Sequence, residues 1–171
     1  MALLCTAQAR SSPFPPDVNR RDRHRPVWDT AQKLDQQTGK RMYQAVTRNI
    51  QVTVEPQFLP DESDADSGRF FFAYSVEIAN LSGAIVQVRT RHWTITDGLG
   101  RVQEVNGPGV VGEEPILHPG ESYRYTSGCP LETPTGIMVG KYGVETLEGS
   151  KFLIDIPAFS LDAPFYDRTL N

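Results

Sequence analysis

A chain of 171 residues that is 39% hydrophobic can close one core and is short for two packed domains. Residues 1–41 carry eight Lys/Arg and four Asp/Glu, leaving nine and seventeen for 42–171, so the two parts stand at +4 and −8. Displacing phosphate counterions takes clustered Lys/Arg, so an acidic body excludes duplex DNA or RNA as the main partner, and no run approaches the roughly 18 apolar residues of a membrane span.

Residues 1–41 read as an unfolded leader. Pro13, Pro15 and Pro16 precede Arg20-Arg21-Asp22-Arg23-His24-Arg25, with Phe14, Val27 and Trp28 as isolated apolar points. Such a segment buries too little to repay its ordering entropy. A short helix around Thr30 to Gln37, ended by Gly39, is the one element it offers. Met1-Ala2-Leu3-Leu4-Cys5 is too short for a signal-peptide core, which makes the cytoplasm the expected location.

From Met42 the pattern becomes one of alternating strands. Ile50, Val52 and Val54 share a face in a first strand from Asn49 to Val54, with Pro56 ending the run. Leu59 to Gly68 is an acidic, turn-forming loop whose Asp61, Glu62, Asp64 and Asp66 would attract hard cations weakly. Phe70, Phe72, Tyr74, Val76 and Ile78 form the core face of a second strand closing at Asn80. A third, Ile85 to Thr96, turns at Asp97-Gly98-Leu99-Gly100 into Arg101 to Val105 as a hairpin. Further strands are expected at Tyr123 to Thr126, Ile137 to Thr146 and Lys151 to Ile156, the last two joined by a turn at Glu148-Gly149. With Gly 14 and Pro 13 spread between these runs, the fold class is all-β: an immunoglobulin or fibronectin type III-like β-sandwich of about seven strands.

Several residues invite a chemical reading. Gly107-Pro108-Gly109-Val110-Val111-Gly112 matches G-x-G-x-x-G, but it follows a hairpin strand and meets Pro115 and Pro119, so no helix opens after it and no βαβ unit surrounds it. A loop between strands is the plain reading, with backbone amides able to form a small anion nest. His24, His92 and His118 lie far apart without zinc spacing, so no metal site is assigned. Ser127 or Cys129 with His92 or His118 would rest on residue type alone, since no nucleophile motif accompanies them, and no catalytic residue is named. Cys129 sits in a Thr126 to Pro130 turn, far from Cys5, and no disulfide is expected.

Strand alternation places Arg89, Arg91 and Trp93 on one face and Val88, Thr90, His92 and Thr94 on the other. If Trp93 is core, Arg91 needs a carboxylate or carbonyl partner, with Glu104 across the hairpin in reach. If the pair is exposed, it is a composition typical of protein-binding surfaces. Arg91, Trp93, Glu104, Gly107, Gly109 and Gly112 are therefore the candidate binding residues.

Specific segments narrow the reading. Arg91-His92-Trp93 before Thr96-Asp97-Gly98, then Val105 to Glu113, Leu117-His118-Pro119-Gly120-Glu121, Tyr125 to Leu131, Thr133-Pro134-Thr135-Gly136 and Ile156-Pro157-Ala158-Phe159 together resemble the ApaG family throughout 42–171. The resemblance implies a fibronectin-type sandwich found alone in bacteria and as an interaction domain in larger eukaryotic proteins. It also implies an association with cobalt and magnesium homeostasis, and identifies no reaction and no cofactor. Family members open with Met-Tyr, which Met42-Tyr43 matches, so translation is expected to start at Met42. The expected function is a non-enzymatic protein-interaction module, with exposed strand edges allowing a homodimer. The alternative is a small-ligand binder that holds a phosphate-bearing nucleotide or divalent cation through the 107–112 loop.

Overall fold

The structure, a computed structural model, describes residues 31–34 and 41–164. Among these it forms ten strands and one 3-10 turn, Pro60–Glu62. The strands are β1 (Ala31–Leu34), β2 (Arg41–Thr47), β3 (Ile50–Phe58), β4 (Phe70–Asn80), β5 (Val86–Asp97), β6 (Val102–Pro108), β7 (Ile116–Leu117), β8 (Ser122–Leu131), β9 (Thr135–Thr146) and β10 (Lys151–Asp162). Sheet one runs β1-β2-β3-β4-β8 and sheet two β10-β9-β5-β6, with β7 on β5, and all pairs are antiparallel. The all-β sandwich expected from the pattern is what the chain builds. The helix expected around Thr30 to Gln37 is not: Ala31–Leu34 is extended and pairs with β2, and the rest of that stretch lies outside the described residues.

The expected first strand is a hairpin and its second arm. Arg48 and Asn49 hold φ of 49° and 60°, the doubly left-handed turn whose twist suits a two-residue hairpin, in which Asn is at home. Asn49 is therefore turn, not strand. Pro56 does not end β3 either: it lies opposite Tyr74 on β4, and β2 stops pairing at Tyr43 opposite Val54. On that side β3 is locally an edge, where a missing N–H costs no ladder bond.

Alternation along β4 is as the sequence predicts, with Phe70, Phe72, Tyr74, Val76 and Ile78 buried. Asn80, fully buried, donates through Nδ2 to the carbonyls of Ala84 (2.8 Å) and Leu117 (2.9 Å) and accepts from Ser82. The hairpin of β5 and β6 also forms where expected, with Leu99 N–H and Arg101 N–H both donating to Asp97 Oδ1 at 2.9 Å. Strand β8 is longer than its predicted Tyr123 to Thr126 core and absorbs the supposed turn around Cys129. Cys129 lies opposite Phe72, and Gly128 is required by the Phe71 ring, which a Cβ there would meet at 2.8 Å.

The face assignment on β5 needs correction. Its register against β9 shifts between Val88 and Thr90, so Arg89 is the extra residue of a bulge and every later side chain changes sides. Val88 is buried, and so are Trp93 and Ile95. Val88 therefore shares the inner face with Trp93 rather than with Thr90, His92 and Thr94.

Inside, Trp93 packs edge-on to Tyr74 (5.4 Å) and Phe159 (5.9 Å). One flank of the sandwich is sewn shut where β10 meets β2: Tyr43 Oη bonds Ser160 Oγ at 2.8 Å and Arg41 pairs with Asp162 at 2.9 Å. At the opposite flank β6 and β8 are the outermost strands of their sheets and do not pair with each other.

Candidate functional site

Between β6 and β8 lies a cleft of about 460 Å³, a size suited to a small ligand or an inserted group. Its walls are Tyr74, Trp93, Val105, Tyr125 and Met138, with Arg91, Gln103 and Ser127 as polar members. The bulge at Arg89 puts Arg91 here, because without it the guanidinium would face the outside of sheet two. Arg91 Nη1 donates to the carbonyls of Pro108 (2.7 Å) and Gly109 (3.2 Å). Among the described residues no carboxylate lies within ion-pair distance of it, and Nε and Nη2 have no acceptor there. The predicted carbonyl partner thus exists, whereas Glu104 is opposite Thr94 on the outer face and takes no part.

Trp93 is 3% exposed, so the reading of Arg91 and Trp93 as a joint solvent-facing patch fails. The indole is core that also forms cleft wall. Beneath it the hydroxyls of Tyr125 and Tyr142 bond each other. Burial raises Tyr125 well above its ordinary value, a rise that the Arg91 charge partly offsets.

The glycine loop shapes this cation. A Cβ on Gly107 would stand 3.0 Å from Arg91 Nη2, and one on Gly109 (φ +49°) would stand 2.0 Å from Glu113 O. Val110 N–H donates to Glu113 O (2.7 Å), Glu113 N–H to Val110 O (2.9 Å) and Gly109 N–H to Arg89 O (2.8 Å). These amides are spent on the chain's own carbonyls, which argues against the anion nest the motif suggested. Between them Val111 and Gly112 hold φ of 48° and 82°. That conformation is ordinary for glycine and strained for a β-branched residue, and both residues border the cleft.

Two contacts join the β8 side to the β6 side at the ends of these strands. Tyr123 Oη on β8 donates to Glu113 Oε2 at 2.9 Å. Burial, aided by that carboxylate, pushes the phenol up to about 12. At the other end Arg101 bridges Asp97 Oδ2 (2.6 Å) and Glu132 Oε2 (2.7 Å). Burial works against the Asp97 carboxylate, but hydrogen bonds from Arg101 and Leu99 outweigh it and hold its carboxyl below the ordinary range.

Of the candidate residues, Arg91, Trp93, Gly107, Gly109 and Gly112 converge here and Glu104 does not. Tyr74, Tyr125 and Met138 complete the walls; their inward alternation marked them as core but not as cleft. Cys129 also lines the cleft, and burial pushes its thiol up to about 11, so the thiolate a nucleophile needs is scarce. His92 bonds Asn106 on the outer face of sheet two. Among the described residues no group of three His, Cys, Asp or Glu is placed to hold a metal, and in the acidic loop Asp64 is tied to Arg69 and Ser67. No described helix is long and apolar enough to cross a membrane.

Known proteins match this chain over the region that builds the cleft. The ApaG domain family model matches residues 60–146. "Protein ApaG" of Methylocella silvestris is 59% identical and that of Beijerinckia indica 57%, each over 130 residues that span 76% of this chain and all of the relative. A crystal structure of the putative ApaA protein of Bordetella pertussis is 47% identical, with a TM-score of 0.66 over 68% of this chain and 94% of that one. A second solved structure, 38% identical, superposes with a TM-score of 0.65 over 72% of this chain and 93% of its own.

Proposed function

Because this chain belongs to the ApaG domain family, we propose that it is a non-enzymatic protein-interaction module of the cytoplasm whose recognition site is the cleft between β6 and β8. The observation that carries this reading is Arg91: a guanidinium fixed by two backbone carbonyls at an aromatic wall, with no carboxylate among the described residues paired to it. An Arg beside Trp and Tyr in a partly dry pocket is the composition that concentrates binding energy in protein interfaces. Burial of the Cys129 thiol supports the non-enzymatic part of the reading. In this account the family's association with cobalt and magnesium homeostasis works through the partner. The alternative, a nucleotide held by the glycine loop, draws less support because the loop turns carbonyls toward Arg91.

Affinity capture from the native host with wild-type protein and Arg91→Met tests the proposal. A protein retained by the wild type and lost by the folded variant supports it. Equal retention by both would remove the cleft as the recognition site.

A further inference from the structure

We propose that the cleft receives the free carboxyl terminus of a partner polypeptide whose last side chain is apolar; this rests on the reading of the chain as an interaction module and names what the module grips. Three features of the site lead there. First, the charge is single: among the described residues lining the cleft Arg91 is the one cation. One guanidinium balances a carboxylate, whereas a phosphate dianion would keep half its charge in a largely apolar pocket. Second, the guanidinium is prepared. Nη1 is engaged by Pro108 O and Gly109 O, which fixes the plane and leaves Nε and Nη2, the pair of donors that suits a carboxylate held side-on.

Third, the Tyr123 to Glu113 bond and the Arg101 to Glu132 bridge join the β8 side to the β6 side at the two ends of these strands. A chain end that enters sideways between β6 and β8 leaves both contacts in place. A terminal residue carries its carboxylate and side chain on the same carbon. Within one small volume it can place the first on Arg91 and the second against Val105 and Val111, the half-buried apolar residues of the lining. An internal Asp or Glu offers the charge without that apolar neighbour.

The test is an amide and indole shift titration of the full chain with N-acetyl-Gly-Gly-Phe as free acid, the same peptide as C-terminal amide, and phenyl phosphate. The free acid should saturably move the Trp93 indole and Gly112 amide signals, with the amide form at least about tenfold weaker, the loss expected when a charge-assisted bond is removed. Arg91→Lys should weaken the acid and leave the amide unchanged. Equal binding of acid and amide, tighter binding of phenyl phosphate, or shifts outside the cleft would each overturn the assignment, and none of these depends on a variant folding. If a partner is captured through Arg91 while acid and amide bind alike, the terminal-carboxylate assignment falls and the module reading stands. If the acid binds at the cleft and Arg91→Met captures the same proteins as the wild type, the module reading falls and the site stands.

Discussion

Gly107 lies so close against Arg91 that a Cβ at position 107 would stand 3.0 Å from Nη2. The glycine is there for the cation, and its neighbour Gly109 is there for the backbone. Gly107→Ala is expected to push the flexible guanidinium aside, changing stability by less than about 1 kcal/mol, while cleft binding drops severalfold. Gly109→Ala must relieve a Cβ placed 2.0 Å from the Glu113 carbonyl at φ +49° and is expected to cost more than about 2 kcal/mol. Urea titrations beside a binding isotherm separate the two; equal destabilisation by both variants would contradict the assignment.

Trp93 is core before it is cleft. Trp93→Ala is expected to lose about 3–5 kcal/mol, the usual cost of emptying a buried aromatic site, and to blunt the cooperativity of thermal unfolding. A loss below about 1 kcal/mol, as for a surface residue, would mean the indole is not packed as described.

Val111 holds φ of 48°, a conformation that costs a side chain with a Cβ about 1–2 kcal/mol and that Asn tolerates better. Val111→Asn should therefore be more stable than Val111→Ala by about 1 kcal/mol, although both remove the same apolar contact. Chemical denaturation of the pair reads this directly, and the reverse order would place Val111 in ordinary backbone.

Burial moves the Cys129 thiol from 9.0 to about 11. With the folded value raised, the native state holds its proton longer than the unfolded chain does. The associated stability is whole below pH 9.0 and drains as pH climbs toward about 11. About 1 kcal/mol should disappear through this thiol between pH 9 and 10, beside a loss through Tyr123, Tyr125 and Tyr142, whose folded values are raised and whose unfolded forms begin to ionise in the same interval. Denaturation midpoints at the two pH values should show a fall that is steeper in the wild type than in Cys129→Ala by that amount.

Much of this architecture was legible because period-two patterning is strict where one face is buried. The run Phe70 to Ile78 predicted β4 residue by residue, and Asp97-Gly98 predicted the hairpin. What escaped was decided by neighbours. Pro56 sits inside β3 because β2 falls short of it, a fact about another strand. Gly128 and Pro130 read as a turn, yet Gly128 makes room for the Phe71 ring and Pro130 lies on the free edge of β8. The bulge at Arg89 left no mark, since an arginine signals nothing about register, and missing it reversed the faces of Val88 and its neighbours. The same bulge turned Arg91 inward and left Glu104 outside. Of the candidate set named from sequence, Arg91, Trp93, Gly107, Gly109 and Gly112 are therefore neighbours, and Glu104, whose choice depended on that register, lies apart.

The most direct test of the cleft as recognition site is amide shift mapping of the wild-type chain with a captured partner. The account predicts that the largest changes fall on the Trp93 indole, Gly112, Val105 and Ser127, with loop 59–69 and the His92 face of sheet two unmoved. Changes confined to that loop or that outer face, with the cleft signals still, would contradict it.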